Sequence, residues 1–445
     1  MLRRSVFETI DAHVNSPESG ALLLTGARQV GKTTAVRAYA EQAGKQLAEL
    51  NFYENREAVS VVSGATDAHE LLFALSALTR ADVTAENTLL FLDEIQECQD
   101  MLTWVKFLVD KRGLDIVLSG SLLGIDAFVD ARSFPVGYLT CTEMFPLTFE
   151  EFCWAAGMPA GSIDTALAAV LDGTPVPEFL HERLSQLFAR YLLVGGMPAA
   201  AQAYVDTSQT APVRAIQGGV FSLYEADVAK YVQDKVEARQ IKMVYEAIPG
   251  QLNAPSKRFK YARLGKNLRF ANMETAFDWL EASGIALAAT RIGSVEFPIG
   301  LSEDRSSLKL FMNDVGMLTS RLMGNVDVEV LCKRTNINYG SIYENVVAQE
   351  LRAQGFRLHY YSSKSIGEVD FVIEDSRTGD VLPIEVKSGK DYKRHSALAN
   401  LLERDGAQLE RAIVLCNGNA SVEGKRRYVP IYLCCKMRTL LEAAR

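Results

Sequence analysis

The sequence has no apolar run approaching the ~18–20 residues that a membrane-spanning helix needs, so no membrane association is expected. Its seven cysteines, at 98, 141, 153, 332, 416, 434 and 435, are scattered and odd in number. None forms a C-x-x-C pair, which argues against a zinc or redox motif and for reduced thiols. Five histidines are too few for a His-rich metal centre. The opening MLRRSVFETIDAH has no apolar h-region, so a secretory signal is not expected and a cytoplasmic setting is. Internal repeats and low-complexity linkers are also missing. Positive charge is not in excess: 47 Lys and Arg face 55 Asp and Glu, giving a net charge of −8 and a pI near 5.4. A protein coated in positive charge for nucleic acid is thereby excluded.

What remains is an ordinary globular composition, 48% apolar and 23% charged over 445 residues, long enough for roughly two to four domains. Residues 1–155 alternate β-like runs (Ala21–Thr25, Leu89–Leu92, Asp115–Leu118) with helical stretches, the pattern of a parallel α/β sheet. Residues 156–235 read as mostly helical, with Gly195-Gly196-Met197-Pro198 as a breaker. Residues 236–330 begin helical, with Asn272 as an N-cap and Gly284 as a stop. They end in two runs, Ile285–Ile292 and Val295–Leu301, joined by Gly293-Ser294 as a hairpin would be. Helices followed by a hairpin suggest a winged-helix-like region, although another small α+β subdomain has the same pattern. Residues 331–445 give a helix (Ser341–Gln354), three β-like runs (Phe356–Ser362, Glu368–Glu374, Val381–Ser388), a helix and a last strand (Arg411–Leu415).

Gly26-Ala27-Arg28-Gln29-Val30-Gly31-Lys32-Thr33 fits G-x-x-x-x-G-K-[ST], between a strand and a helix that runs through Thr34. Glycines let such a loop wrap phosphate with backbone N–H groups, and the helix N-terminus adds positive potential. Lys32 can reach the β- and γ-phosphates of ATP, and Thr33 can ligate Mg2+. The apolar run Leu89–Leu92 ends in Asp93 and Glu94. Ligands collect at strand C-termini in such sheets. Asp93 suits Mg2+, and Glu94 suits the general base that orients or deprotonates the attacking water. A third strand, Ile116–Leu118, ends in Ser119-Gly120-Ser121, and either serine can serve as a polar sensor of the γ-phosphate or water.

GARQVGKTT, FLDEIQ, VLSGSLLG and PLTFEEF (146–152) resemble a large prokaryotic family of AAA+ ATPases with a C-terminal region of long-unassigned function. YLLVGGMPAA (191–200) resembles its lid motif. KLFMNDVGM (309–317) and GEVDFVIE…PIEVKSG (367–389) resemble its C-terminal region. The resemblance implies a P-loop AAA+ parallel-sheet domain, a helical lid in which Pro198 leans on the nucleotide, and a ring, possibly a hexamer, with sites at subunit interfaces. It also implies a Gly-Arg pair before PLTFEEF. Here that place reads Pro135-Val136-Gly137-Tyr138, which leaves Arg112 and Arg132 as candidate arginine fingers.

Asp370, Glu385 and Lys387 lie on the two strands of the last motif, with Glu344 on the helix before them. This is the order and setting of a restriction-endonuclease-like D…E-x-K core. The two-residue strand period puts Glu385 and Lys387 on one face. Two carboxylates there suit Mg2+ or Mn2+, and a lysine suits positioning of the attacking water. A cross-strand salt-bridge cluster would use the same residues.

From Lys257 onward, Lys257, Arg258, Lys260, Arg263, Lys266 and Arg269 come without an acid and with Phe259, Tyr261 and Phe270 interleaved. That mixture fits phosphate contact with nucleic acid. Dividing the charge supports it: residues 231–275 carry +5 and residues 331–445 carry +4, leaving −17 for the rest. The expected protein is therefore an ATP- and Mg2+-dependent AAA+ ATPase acting on DNA, by translocation or remodelling of duplex or branched forms. Two alternatives stay open: an ATP-gated oligomeric scaffold for protein partners, and an ATP-regulated DNA nuclease.

Overall fold

The computed structural model of the chain describes residues 2–16, 20–110, 113–121, 137–266, 268–324, 339–389, 391–403 and 409–443. The chain forms two compact units, Met1–Phe145 with Ala282–Gly284, and Pro146–Glu281 with Ile285–Arg445.

The first unit is a five-stranded sheet of β1 (Ala21–Thr25), β2 (Gln46–Asn51), β3 (Thr88–Asp93), β4 (Asp115–Ser119) and β5 (Leu139–Glu143), in the order β2-β3-β4-β1-β5. Every pairing is parallel. β1 and β3 are buried at every residue, as parallel strands covered on both faces must be. Leu23, Leu90, Leu92 and Leu118 from the sheet pack with Leu71 and Leu75 of the helix Ala68–Thr79 and with Val105 of the helix Gln99–Val109. Truncating one such leucine to alanine costs about 2–5 kcal/mol. The sheet carries its loops outward at the strand C-termini. There β1 leads into the glycine-rich loop and helix α1 (Lys32–Ala43), while β3 and β4 end in Asp93 and Ser119. This is the α/β arrangement expected of a P-loop AAA+ domain.

The second unit opens with helices between Phe149 and Leu252 and closes with an eight-stranded mixed sheet. Its strands are β6 (Ala286–Ile292), β7 (Glu303–Met312), β8 (His359–Ser363), β9 (Gly367–Glu374), β10 (Val381–Val386), β11 (Ala412–Cys416), β12 (Ser421–Glu423) and β13 (Arg426–Pro430). They lie in the order β12-β13-β11-β10-β9-β8-β6-β7. β8, β9 and β10 form an antiparallel meander, and β11 joins β10 in parallel. Helix α2 (Gly340–Ala353) precedes the meander and is buried from Ser341 to Leu351; helix α3 (Ser396–Glu403) precedes β11.

The expected hairpin does not form. Val295–Leu301 is not a strand, and Gly293-Ser294 is not a two-residue hairpin turn. Pro298 has no N–H to give to a ladder. The Ser302 hydroxyl instead accepts from the N–H groups of Gly293 (3.2 Å) and Ser294 (3.0 Å), and the Glu374 carboxylate accepts from Ile299 N–H (2.9 Å). Pairing resumes only at Glu303. β6 then pairs with β7 on one side and with β8 on the other. The two strands are therefore the edge of the large sheet and not the free wing of a winged helix, and the sheet runs across the domain boundary expected at 330/331.

Candidate functional site

In the glycine-rich loop, Gly26 (φ 142°) and Gly31 (φ 92°) take backbone conformations that favour glycine, and Gln29 (φ 67°) joins them. A side chain at Gly26 would collide with the Met144 carbonyl. Ala27 and Val30 are buried, Arg28 is half-buried, and Gln29 and Thr34 face solvent. Lys32 is the first residue of α1. Its ammonium donates to the Gly26 (2.9 Å) and Ala27 (3.1 Å) carbonyls, folding the loop over its own cation. Burial pulls the Lys32 pKa down to about 8, against the opposing pull of Glu94 and Asp93.

Asp93, only 2% exposed, is the hub. One carboxylate oxygen accepts from Thr33 Oγ1 (2.9 Å) and Asn51 Nδ2 (3.0 Å). The other accepts from the Ser119 hydroxyl and from Glu94 N–H (3.1 Å). Residues from the P-loop helix and from the ends of β2, β3 and β4 thus converge on one carboxylate. Its buried charge is stabilised by these hydrogen bonds. Glu94 sits in the left-handed region (φ 53°), a conformation that costs a non-glycine residue about 1–2 kcal/mol. Its carboxylate accepts from the Gln96 side-chain amide.

The structure separates the two candidate sensors. Ser119 spends its hydroxyl on Asp93, while Ser121 Oγ is buried without a hydrogen-bond partner among the described residues. Asn51 and Gln96 were not singled out in the sequence. Asn51 is simply the last residue of a strand that pairs with β3 at Asp93, and Gln96 follows the acidic pair by two positions. Arg112 and Arg132 lie outside the described residues. Thr33 and Asp93 are adjacent oxygen donors beside the loop, a donor set that fits Mg2+.

Pro198 begins the helix Pro198–Thr207 in the second unit. The glycines before it have a packing role. Gly196 N–H donates to the buried Asp314 carboxylate (2.5 Å), which also accepts from Met317 N–H (2.9 Å). Leu147 N–H donates to the Gly196 carbonyl (2.6 Å). Side chains at Gly195, Gly196 or Gly316 would collide with Asp314, Leu147 or Val194 respectively. PLTFEEF, YLLVGGMPAA and KLFMNDVGM therefore meet in one buried polar core. Gln349 and Glu350 of α2 complete it through Val315 N–H (2.9 Å), Phe149 N–H (2.7 Å) and the Tyr191 hydroxyl.

Glu344, Asp370, Glu385 and Lys387 are brought together, with cations among them. Lys309 of β7, completely buried, places its ammonium 2.8 Å from Glu368, 3.4 Å from Glu344 and 3.8 Å from Asp370. Lys257 bonds the other Glu344 oxygen, and Lys387 lies 2.7 Å from Glu385. Asp370 accepts from Val386 N–H (2.9 Å). Burial opposes the Glu344 charge, yet Lys309 and Lys257 hold its carboxyl below the ordinary range. Burial, then the Glu344 and Glu385 charges, drive Asp370 well above it.

The basic segment divides accordingly. Lys257 is tied to Glu344, and Arg258 to Ser362 and Glu368. Lys260, Arg263, Lys266 and Arg269 are exposed. The interleaved aromatics pack into the fold. Phe259 is buried, Tyr261 packs edge-on against Phe277, and Phe270 stacks on Phe277.

Residues 18–153 match a family described as an AAA domain. The N-terminal unit carries an AAA+ P-loop fold. Residues 185–327 and 339–434 match two domains of unknown function, DUF8612 and DUF4143. Similar solved structures include Drosophila ORC bound to DNA, at 14% identity over 68% of this chain and 90% of that one, with a TM-score of 0.28. Cdc6p from Pyrobaculum aerophilum is 12% identical over 74% of this chain and 93% of that one, with a TM-score of 0.26. Likenesses of that strength say nothing about ligands or partners of the present chain. No curated protein matches it.

Proposed function

We propose that this chain is an AAA+ ATPase that binds and hydrolyses ATP with Mg2+ and uses the cycle to translocate on or remodel DNA. The observation that carries the catalytic half is the Asp93 hub, which aligns Thr33, Asn51 and Ser119 beside a left-handed Glu94. Thr33 and Asp93 are the residues that would hold Mg2+, whose chemistry is to neutralise phosphate charge. Lys32 exchanges its two carbonyl partners for phosphate oxygens. Glu94 accepts a proton from the attacking water, and Gln96 fixes its carboxylate. Ser121, with a buried hydroxyl free of other partners among the described residues, is the better γ-phosphate sensor of the two serines.

The DNA half rests on the exposed Lys260, Arg263, Lys266 and Arg269, a cluster suited to backbone phosphates. It also rests on the second unit's order of α2, the β8–β10 meander, α3 and β11, which is that of restriction-endonuclease-like cores. A homo-oligomeric ring, an arginine finger from Arg112 or Arg132, a cytoplasmic setting and a base-side contact by Pro198 complete the proposal. The test is ATP turnover with duplex, single-stranded and branched DNA, beside the oligomer mass with and without ATP. Stimulation by at least one DNA form is expected. Turnover indifferent to all of them rejects the DNA half and favours an ATP-gated scaffold, whose specific support is that the nuclease-like carboxylates are already paired with cations.

A further inference from the structure

The carboxylates of the second unit invite comparison with a divalent-metal centre, but the residues around them do not fit one. A Mg2+ or Mn2+ ion shared by Asp370 and a neighbouring carboxylate, Glu385 or Glu344, needs oxygens of both directed at one point, at about 2.0–2.1 Å for Mg2+. The Lys309 ammonium holds that ground, in contact with Glu344, Glu368 and Asp370. Lys309 extends from the sheet with no solvent exposure, and its ammonium lies 4.9 Å from the centre of the Tyr360 ring, a favourable cation–π placement.

The remaining charges are already balanced. Lys257 serves Glu344, Arg258 serves Glu368, Lys387 serves Glu385 and Lys309 stands beside Asp370, so each of the four acids already faces a cation. A doubly charged ion inserted among them would sit against a buried ammonium with no spare negative charge to hold it. One buried oxygen, Glu385 Oε2, has no hydrogen-bond partner among the described residues. A single oxygen does not make a divalent site.

We infer that Lys309 takes the place of the divalent ion in this nuclease-like centre, so that the second unit engages its ligand without metal and without cutting phosphodiesters. The inference rests on the nuclease-like reading of these strands. It concerns metal occupancy alone, so it is tested with neither nucleotide nor DNA, and failure of the DNA reading would leave the result unchanged.

The experiment is Mn2+ titration of the full chain, with free Mn2+ counted by electron paramagnetic resonance. Wild type, Asp370→Asn and Glu385→Gln should bind the same number of Mn2+ ions. Lys309→Met should gain one ion per chain, and Lys309→Met with Asp370→Asn should lose it again. An ion bound by wild type and lost in Asp370→Asn or Glu385→Gln overturns the inference. So does a folded Lys309→Met that gains none. Should Lys309→Met fail to fold, the comparison of wild type with the two carboxylate variants still decides.

Discussion

Glu350→Gln offers a measurable test of the buried core in the second unit. The Glu350 carboxyl is completely buried; one oxygen accepts from Phe149 N–H (2.7 Å) and the Tyr191 hydroxyl (3.2 Å), and the other has no hydrogen-bond partner among the described residues. Burial is the main cause that lifts its pKa from 4.5 to about 8; the hydrogen bonds from Phe149 and Tyr191 pull the other way. The folded state therefore prefers the protonated acid. Its contribution to stability is full below about pH 4.5 and is lost as pH rises through about 8. Between those limits each pH unit is worth at most ~1.4 kcal/mol. Glutamine keeps the accepting oxygen and cannot ionise. Over pH 6–8 the variant should therefore gain about 2–3 kcal/mol on wild type. Urea unfolding of both proteins across that range, followed by near-ultraviolet circular dichroism, gives the difference directly. Asp314, also raised by burial, to about 6, cancels in the comparison. Parallel stability profiles would refute the reasoning.

Two further outcomes follow from the sites. Lys32→Ala should lower ATP affinity at least tenfold in equilibrium binding, because the loop loses its only buried ammonium beside Asp93 among the described residues. Replacing Lys260, Arg263, Lys266 and Arg269 together by alanine should weaken DNA binding and reduce the slope of log affinity against log salt by up to about 3–4 for duplex, read by fluorescence anisotropy; an unchanged slope removes this surface from the DNA contact.

The proposed nucleotide site was legible in the sequence because its parts are local. Glycines with special backbone angles, a lysine at a helix start and acids at the end of an apolar strand all signal within a few residues. Asn51 gave no such signal, since its role comes from pairing with β3 forty residues on in the chain. The carboxy-terminal carboxylates were legible as a cluster, but Lys309 was not. It stands in a motif noticed for other reasons, and its partners reach it only through the packing of the fold, Glu344 from α2 and Glu368 and Asp370 from β9. The hairpin misreading has a similar origin. Val295–Leu301 is apolar enough for a strand, whereas β7 begins with the polar run Glu303–Ser307 and becomes buried only from Leu308. Basic and aromatic residues at 257–270 looked like one surface. Only the fold shows that the aromatics pack around Phe277 and that the first two cations face acids, Lys257 the buried Glu344 and Arg258 the half-buried Glu368.

The most direct test of the central claim is Glu94→Gln, measured for ATP binding and for turnover on the same preparation. Glutamine preserves the side chain's size and its contact with Gln96 while removing the group that accepts the proton. The account predicts ATP affinity within a few-fold of wild type and turnover reduced at least a hundredfold, the usual scale of general-base loss. Turnover at the wild-type rate would contradict it.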